Sequence, residues 1–333
     1  MRYILVINSK SNPKALGALD DAINMVSRSD PDLRSRIELK FTEYPGHASD
    51  IAIEVSEQFK GNVTIVACGG DGTVHEIANA LAFRKTPMAC IPFGTGNDFI
   101  RTVLPTMKKW DYETLLKNLD NLTVKPIDLI KIDSYDIMGT HLQNWSGYMD
   151  NVTSIGLDTV VQANAKAIVD AKDTKFNRQT AYIRSAISGV FGKRCHEFRY
   201  KLELEDGSIY ESETDKHTLI SICNGKYYGD GFCPAPDADI ADGIANICAV
   251  DNVPLIKALG LLLLYRFGKH EGKSGIKTFR ATSGVITSTS PSLQLVGNFD
   301  GEDFFGNRIR FEVFPKALNL AFFPEDGYKH EGK

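Results

Sequence analysis

The chain has 333 residues, beyond the roughly 250 to 300 at which one hydrophobic core stops growing, so two domains are the default expectation. Its 43% hydrophobic and 24% charged residues are ordinary for a soluble globular protein. A net charge of −4 with a pI near 6.0 excludes a general electrostatic attraction to nucleic acid or anionic lipid.

The opening "MRYILVINSK" has too short an apolar run, and no small-residue cleavage site, for a signal peptide, and reads as a first strand. Helical "KALGALDDAINMVSR", strand "RIELKFT" and helical "HASDIAIEVSEQF" follow. Strand "VTIVAC" then leads through glycines into a helix, and "MACIPFG" and helical "DYETLLKNL" come after. Strands alternating with helices of this length predict a parallel, doubly wound sheet, whose ligands bind beyond the carboxyl ends of the strands.

Two glycine turns lie at such ends. In "CGGDGTVHE", Gly69, Gly70 and Gly72 permit close backbone approach, and the helix start adds partial positive charge, which together make an anion site. Asp71 would repel an anion there unless a cation such as Mg²⁺ lies between them; its alternative role is a helix cap. In "CIPFGTGNDFIR", Gly94 and Gly96 give the same freedom beside Thr95, Asn97 and Asp98. No G-x-x-x-x-G-K-[ST], G-x-G-x-x-G or H-R-D signature is present.

After "VKPIDLIKI" the texture turns strand-like, punctuated by turn dipeptides such as Asp206-Gly207 and Asp300-Gly301, which predicts a β-sandwich from near Asp128. Two helices are expected within it, "TVVQANAKAIVDA" and "PLIKALGLLLLYRFG". The second falls short of the roughly 20 residues that span a bilayer and carries Lys257 and Arg266, so it is expected to be a core or interdomain helix. Cys68, Cys90, Cys195, Cys223, Cys233 and Cys248 form no C-x-x-C pair and fit free thiols in a reducing cytoplasm. "KHEGK" at 269–273 and 329–333 reads as two exposed polar stretches.

"GGDGTVHE" followed by "PFGTGNDFIR" resembles the catalytic domain of the diacylglycerol kinase and lipid kinase family, within the superfamily that includes NAD kinases. "FTEYPGHASDIA", "VKPIDLIKI", "NVTSIGLDTVV", "ICNGKYYGDGFCPAPDADIADGIANI" and "NFDGED" resemble further family landmarks in order. The resemblance implies an ATP-binding α/β domain at 1–128, joined by a returning tail at about 316–333, and a β-sandwich lipid domain at 129–315. It implies an acidic network of Asp71, Asp98 and Asp128 supported by Arg101, with Asp300 as general base. Nucleotide contacts would come from Asn8, Ser9, Thr42, Gly69, Gly70, Gly72, Thr73, Gly94, Thr95, Gly96, Asn97 and Glu302. A second, structural Mg²⁺ would take the Asp242 carboxylate and the carbonyls of Asp239 and Ile244. Three departures stand out: "INSKSNP" where the family has Asn-Pro after strand one, His75 where Asn is common, and Asp230 within a glycine cluster.

The activity implied is Mg·ATP-dependent transfer of the γ-phosphoryl group to a lipid hydroxyl in a cleft between the domains, diacylglycerol giving phosphatidic acid. Phosphatidylglycerol, a sphingoid base or an isoprenoid alcohol would also suit as acceptor. A NAD kinase and a nucleotide-binding regulator without turnover are the alternatives. Expected partners are ATP and a membrane-presented lipid, with no nucleic acid and a homodimer left open. The expected setting is the cytoplasm with transient peripheral membrane association.

Overall fold

The protein is described by a computed structural model covering residues 1–8, 12–94, 96–104, 111–171, 175–192 and 195–324. Two compact units divide it, Met1–Ile127 with Lys316–Lys333, and Asp128–Pro315.

The first unit is α/β. Its elements are β1 (Arg2–Ile7), α1 (Pro13–Ser29), α2 (Pro31–Ser35), β2 (Ile37–Phe41), α3 (His47–Phe59), β3 (Val63–Gly69), α4 (Asp71–Leu81), β4 (Met88–Pro92), α5 (Asp98–Val103) and α6 (Tyr112–Lys117), before β5 (Thr123–Tyr135) leads out. β1 lies between β2 and β3, β4 follows β3, and all these pairs are parallel. β3 and β4 are buried along their whole length, as expected for parallel strands covered by helices on both faces. The register pairs Ile7 with Cys68 and Gly69 with Pro92, so the chain leaves β1, β3 and β4 at one edge. That edge carries both glycine turns.

Helices start here by two devices. Asn12, Asp30 and Asp111 cap α1, α2 and α6 through side-chain oxygens, each accepting backbone N–H groups of the first turn. α3 begins at Gly46 in the left-handed region with no cap of its own. Glu76 of α4 supplies one instead, its two oxygens accepting from the Gly46 and Ala48 N–H groups at 3.0 Å each.

The second unit is an antiparallel β-sandwich with helices. It contains β6 (Gly147–Met149), β7 (Val152–Gly156), α7 (Leu157–Ala171), α8 (Lys175–Phe191), β8 (His196–Leu204), β9 (Ile209–Glu211), β10 (Lys216–Cys223) and β11 (Ala245–Asp251). After these come α9 (Leu255–Arg266), β12 (Ile276–Ser288), β13 (Leu295–Phe299), β14 (Glu302–Gly306) and β15 (Arg308–Phe322). β14, β13, β7, β10, β11, β12 and the first part of β15 are neighbours in that order, with β8 also pairing β12. One core gathers inward strand residues, among them Ile155, Phe198, Tyr200, Ile220, Ile247, Phe304 and Phe311. Another packs α7, α8 and α9 on Leu219, Cys248 and Val250.

Two expectations need correction. The sandwich holds three helices rather than two, since α8 is present as well. The 254–268 segment is a core helix on its inner side, where α9 buries Ala258, Leu261 and Tyr265 in the second cluster, while Ile256, Leu263 and Phe267 stay exposed. Within the first "KHEGK", His270 is fully buried, with Nε2 3.1 Å from the Pro234 carbonyl; the second copy lies outside the described residues. All six cysteines are free thiols.

Candidate active site

In the first unit the two glycine turns press against each other. A Cβ added to Gly94 would stand 2.5 Å from the Gly70 Cα, a backbone atom that cannot swing aside. The turn after β4 is held by Asn97, which sits at φ +51; its Oδ1 accepts the Gly94 N–H at 2.9 Å and its Nδ2 donates to the Gly94 carbonyl at 2.8 Å. Thr73 folds back on Gly69, where a Cβ would fall 2.3 Å from its Cβ and Oγ1. Gly70 begins α4 without a side-chain cap, its carbonyl accepting the Thr73 and Val74 N–H groups at 3.0 and 3.1 Å.

Asp71 does not cap α4. It is the first residue of that helix, and its Oδ1 accepts the Phe99 N–H of α5 at 3.3 Å. Asp98, buried, pairs with Arg101 at 3.3 Å. Both carboxylates converge on Gly96, whose added Cβ would lie 3.0 Å from Asp71 Oδ2 and 3.6 Å from Asp98 Oδ2. Two carboxylates gathered at a helix start beside one arginine form a hard oxygen donor set that fits a divalent cation.

Other expected nucleotide contacts sit around this edge. Asn8 Nδ2 is 3.5 Å from Thr73 Oγ1, and the Thr42 N–H donates to the Ile7 carbonyl at 2.9 Å. Gly72 faces open space. Ser9 and Thr95 lie outside the described residues. His75 is buried, with Asn79 Nδ2 3.2 Å from its Nε2.

The second unit carries Asp300, Glu302, Asp128 and the acidic loop. Asp300 and Gly301 both have positive φ, +49 and +101, the type I′ turn that joins β13 to β14. Asp300 is buried, and its carboxylate accepts three consecutive backbone N–H groups, from Asp150 at 2.8 Å, Asn151 at 3.1 Å and Val152 at 3.0 Å. Glu302, the first residue of β14, is exposed. Asp128 is fully buried, and its Oδ2 accepts the Gly243 N–H at 2.6 Å. Asn224 binds this region together, donating through Nδ2 to the carbonyls of Asp128 at 3.0 Å and Asp150 at 2.9 Å. Sequence reading singled out neither Asp150, Asn151 nor Asn224. The Asn-Gly of "ICNG" was the available signal for Asn224.

Protein groups already engage the acidic loop. Asp242 Oδ1 accepts the Ile244 N–H at 3.0 Å, and Oδ2 holds Arg280 Nη2 at 2.9 Å. Asp239 Oδ1 accepts the Ala241 N–H at 3.0 Å. Hydrogen bonds donated to Glu205 and then to Asp242 raise the Arg280 pKa, so the guanidinium beside this carboxylate stays charged.

A parallel α/β unit with paired glycine turns and a carboxylate cluster, followed by an antiparallel sandwich, defines the class as a two-unit phosphate-handling protein. The family model described as diacylglycerol kinase catalytic domain matches residues 2–132, and that of the YegS C-terminal NAD kinase beta sandwich-like domain matches residues 151–322. A "Probable lipid kinase YegS-like" of Pseudomonas aeruginosa is 27% identical over 78% of this chain and 76% of its own. One of the same name from Xanthomonas oryzae is 26% identical over 95% and 94%. A crystal structure titled as a diacylglycerol kinase from Bacillus anthracis superposes with TM-score 0.63 at 18% identity, covering 97% of both chains. The chain belongs to the diacylglycerol kinase and YegS-like family of lipid kinases, which use ATP and a divalent metal. Among the described residues, no helix is long and apolar enough to cross a membrane.

Proposed function

We propose that the protein transfers the γ-phosphoryl group of ATP to a lipid hydroxyl, with diacylglycerol as acceptor and phosphatidic acid as product. The observation that carries this reading is the pair of glycine turns packed at Gly70 and Gly94, with the Asp71 and Asp98 carboxylates beside Gly96. The partial positive charge at the start of α4 and the backbone of the two glycine turns would hold phosphate oxygens, and the two carboxylates would hold a divalent cation, taken here to be Mg²⁺, that neutralises charge on the transferring group. Arg101 holds Asp98 in place. Asp300 takes the proton of the lipid hydroxyl, its carboxylate oriented by the amides of Asp150, Asn151 and Val152. Asp128 acts at one remove by fixing the Gly243 turn.

The reading is tested by supplying radiolabelled ATP with Mg²⁺ and a panel of lipids in mixed micelles, NAD being included. Label in phosphatidic acid, lost on chelation of the cation, is the expected result. Label in another lipid would move the acceptor, label in NAD would move the activity to the nucleotide kinases, and no label anywhere would end the kinase reading.

A further inference from the structure

α9 is strongly apolar; it buries Ala258, Leu261 and Tyr265 against the second unit and partly buries Leu255, Leu259, Leu262 and Leu264 there. Its outer face carries Ile256, 87% exposed, Leu263, 58% exposed, and Phe267, 68% exposed. Gly260 completes the row, and nothing would lie within 4 Å of a Cβ placed there. The spacing 256, 260, 263, 267 keeps these positions in one stripe along the helix. Singly exposed apolar residues are normal, but an aligned row of bulky ones on one helix is a contact surface. α8, packed beside α9, adds exposed Ile187 and Phe191 at 44% and 63%.

The charges around the stripe choose the occupant. Segment 254–273 holds Lys257, Arg266, Lys269 and Lys273 against the single acid Glu271, a local +3 on a chain of net −4. On the helix, Lys257 and Arg266 fall on opposite flanks of the stripe. Lys257 Nζ donates to Ser274 Oγ at 2.9 Å, and the Arg266 guanidinium lies 4.9 Å over the Phe232 ring, so among the described residues neither is neutralised by a carboxylate. Lys269 and Lys273 are exposed. Solvent-facing bulky apolar groups bordered by lysine and arginine match the two attractions an anionic bilayer offers, acyl-chain burial and headgroup charge.

We propose that α9 docks the protein peripherally on anionic membrane surfaces, Ile256, Leu263 and Phe267 entering the acyl boundary while Lys257, Arg266, Lys269 and Lys273 meet lipid phosphates. This rests on the lipid-kinase reading only for its purpose, since binding is measured without ATP. The three apolar side chains are solvent-facing, so their replacement leaves the fold intact, as an unchanged thermal midpoint would verify.

The experiment is flotation with vesicles of phosphatidylglycerol or of phosphatidylcholine, for the wild type, Leu263→Gln/Phe267→Gln and Lys269→Gln/Lys273→Gln. The wild type should bind phosphatidylglycerol vesicles in a salt-sensitive way and phosphatidylcholine weakly. The apolar pair should weaken binding tenfold or more, and the lysine pair about fivefold per charge at low salt. Phosphorylation of lipid dispersed in detergent should stay within about twofold of wild type for both variants. Wild-type protein that ignores anionic vesicles, or an apolar variant that binds like wild type, would overturn the proposal. So would an apolar variant whose only change is from dimer to monomer by light scattering, which would assign the stripe to a second copy of this chain. Vesicle binding without phosphorylation of any lipid would sink the kinase reading and leave the docking surface standing.

Discussion

At Asp300 three backbone N–H groups fill three of the roughly four lone-pair positions of one carboxylate. The sequence exposes this residue as a turn and, by resemblance, as a base; the anchoring is invisible there because its donors are main-chain atoms of 150–152. The anchoring changes what a substitution does. Asp300→Asn keeps the shape and tolerates positive φ, but it turns an amide NH₂ toward at least one backbone donor. It should therefore lose about 1–3 kcal/mol of stability as well as about 10²–10⁴-fold in kcat, with ATP affinity nearly unchanged. Thermal melting and kinetics on the same preparation separate the effects: lost stability with full turnover per folded molecule would leave Asp300 a purely structural anchor. Asp158, half-buried, accepts a hydrogen bond from the Tyr228 hydroxyl, which also meets Tyr265. Burial raises its pKa from 3.8 to about 6, against the opposing effect of Tyr228. A raised carboxyl pKa means that the fold prefers the protonated acid, so its ionisation removes stability as pH climbs from about 4 through 6. Asp158→Asn keeps an acceptor for Tyr228 and never ionises. It should gain up to about 2–3 kcal/mol over wild type at pH 7 and nothing at pH 3.5, checked by denaturant melts at both values. A gain of equal size at both would sink the ionisation argument.

Elements whose signals are periodic and bounded were legible from the chain. α3 spans the quoted "HASDIAIEVSEQF", and the strand ends that carry the glycine turns fall where the sequence placed them. α8 was missed although its packed face, Ala181, Ser185, Ala186, Gly189 and Val190, is periodic; several of those residues are small. Close approach explains them, since a Cβ on Gly189 would come within 3.1 Å of Leu157 and 3.2 Å of Val161 on α7. The acidic "DADIADGI" loop shows contacts that the chain order hides. Its backbone is tied by Asp128, which accepts the Gly243 N–H, and its Asp242 carboxylate pairs with Arg280, both distant in sequence. The turn pair makes a sharper test. Gly94→Ala places a methyl group 2.5 Å from the Gly70 Cα, so the two loops must separate while the strands that carry them need not move. ATP affinity should drop at least tenfold with a stability loss of about 1–3 kcal/mol, read by calorimetry and melting. Unchanged ATP affinity would mean that the turns do not form the phosphate site.

On the scale of the whole molecule, chain order and spatial order differ. The first unit takes its last strand from the far end of the chain: β15 belongs to it from Lys316 onward, where Leu320 pairs with Met88 of β4 and the Ala317 carbonyl accepts the Phe83 N–H at 2.7 Å. Local patterns mark "ALNLAFF" as an apolar run without saying which unit receives it, because strand partners are set by packing far along the chain. The second unit, by contrast, is one continuous segment, Asp128–Pro315, with its own strand core from Ile130 to Val313. This asymmetry yields an experiment. Residues 128–315 expressed alone should fold and melt cooperatively, since the segment keeps its buried cores. In the full chain Leu320→Ala, at a site 2% exposed, should cost about 2–5 kcal/mol and fall on the first unit alone. Hydrogen exchange resolves the two, with lost protection expected along β3 and β4 and none along β10 and β11. Equal loss in both units would show that they unfold as one, and a 128–315 fragment without a cooperative transition would show that the second unit depends on the first.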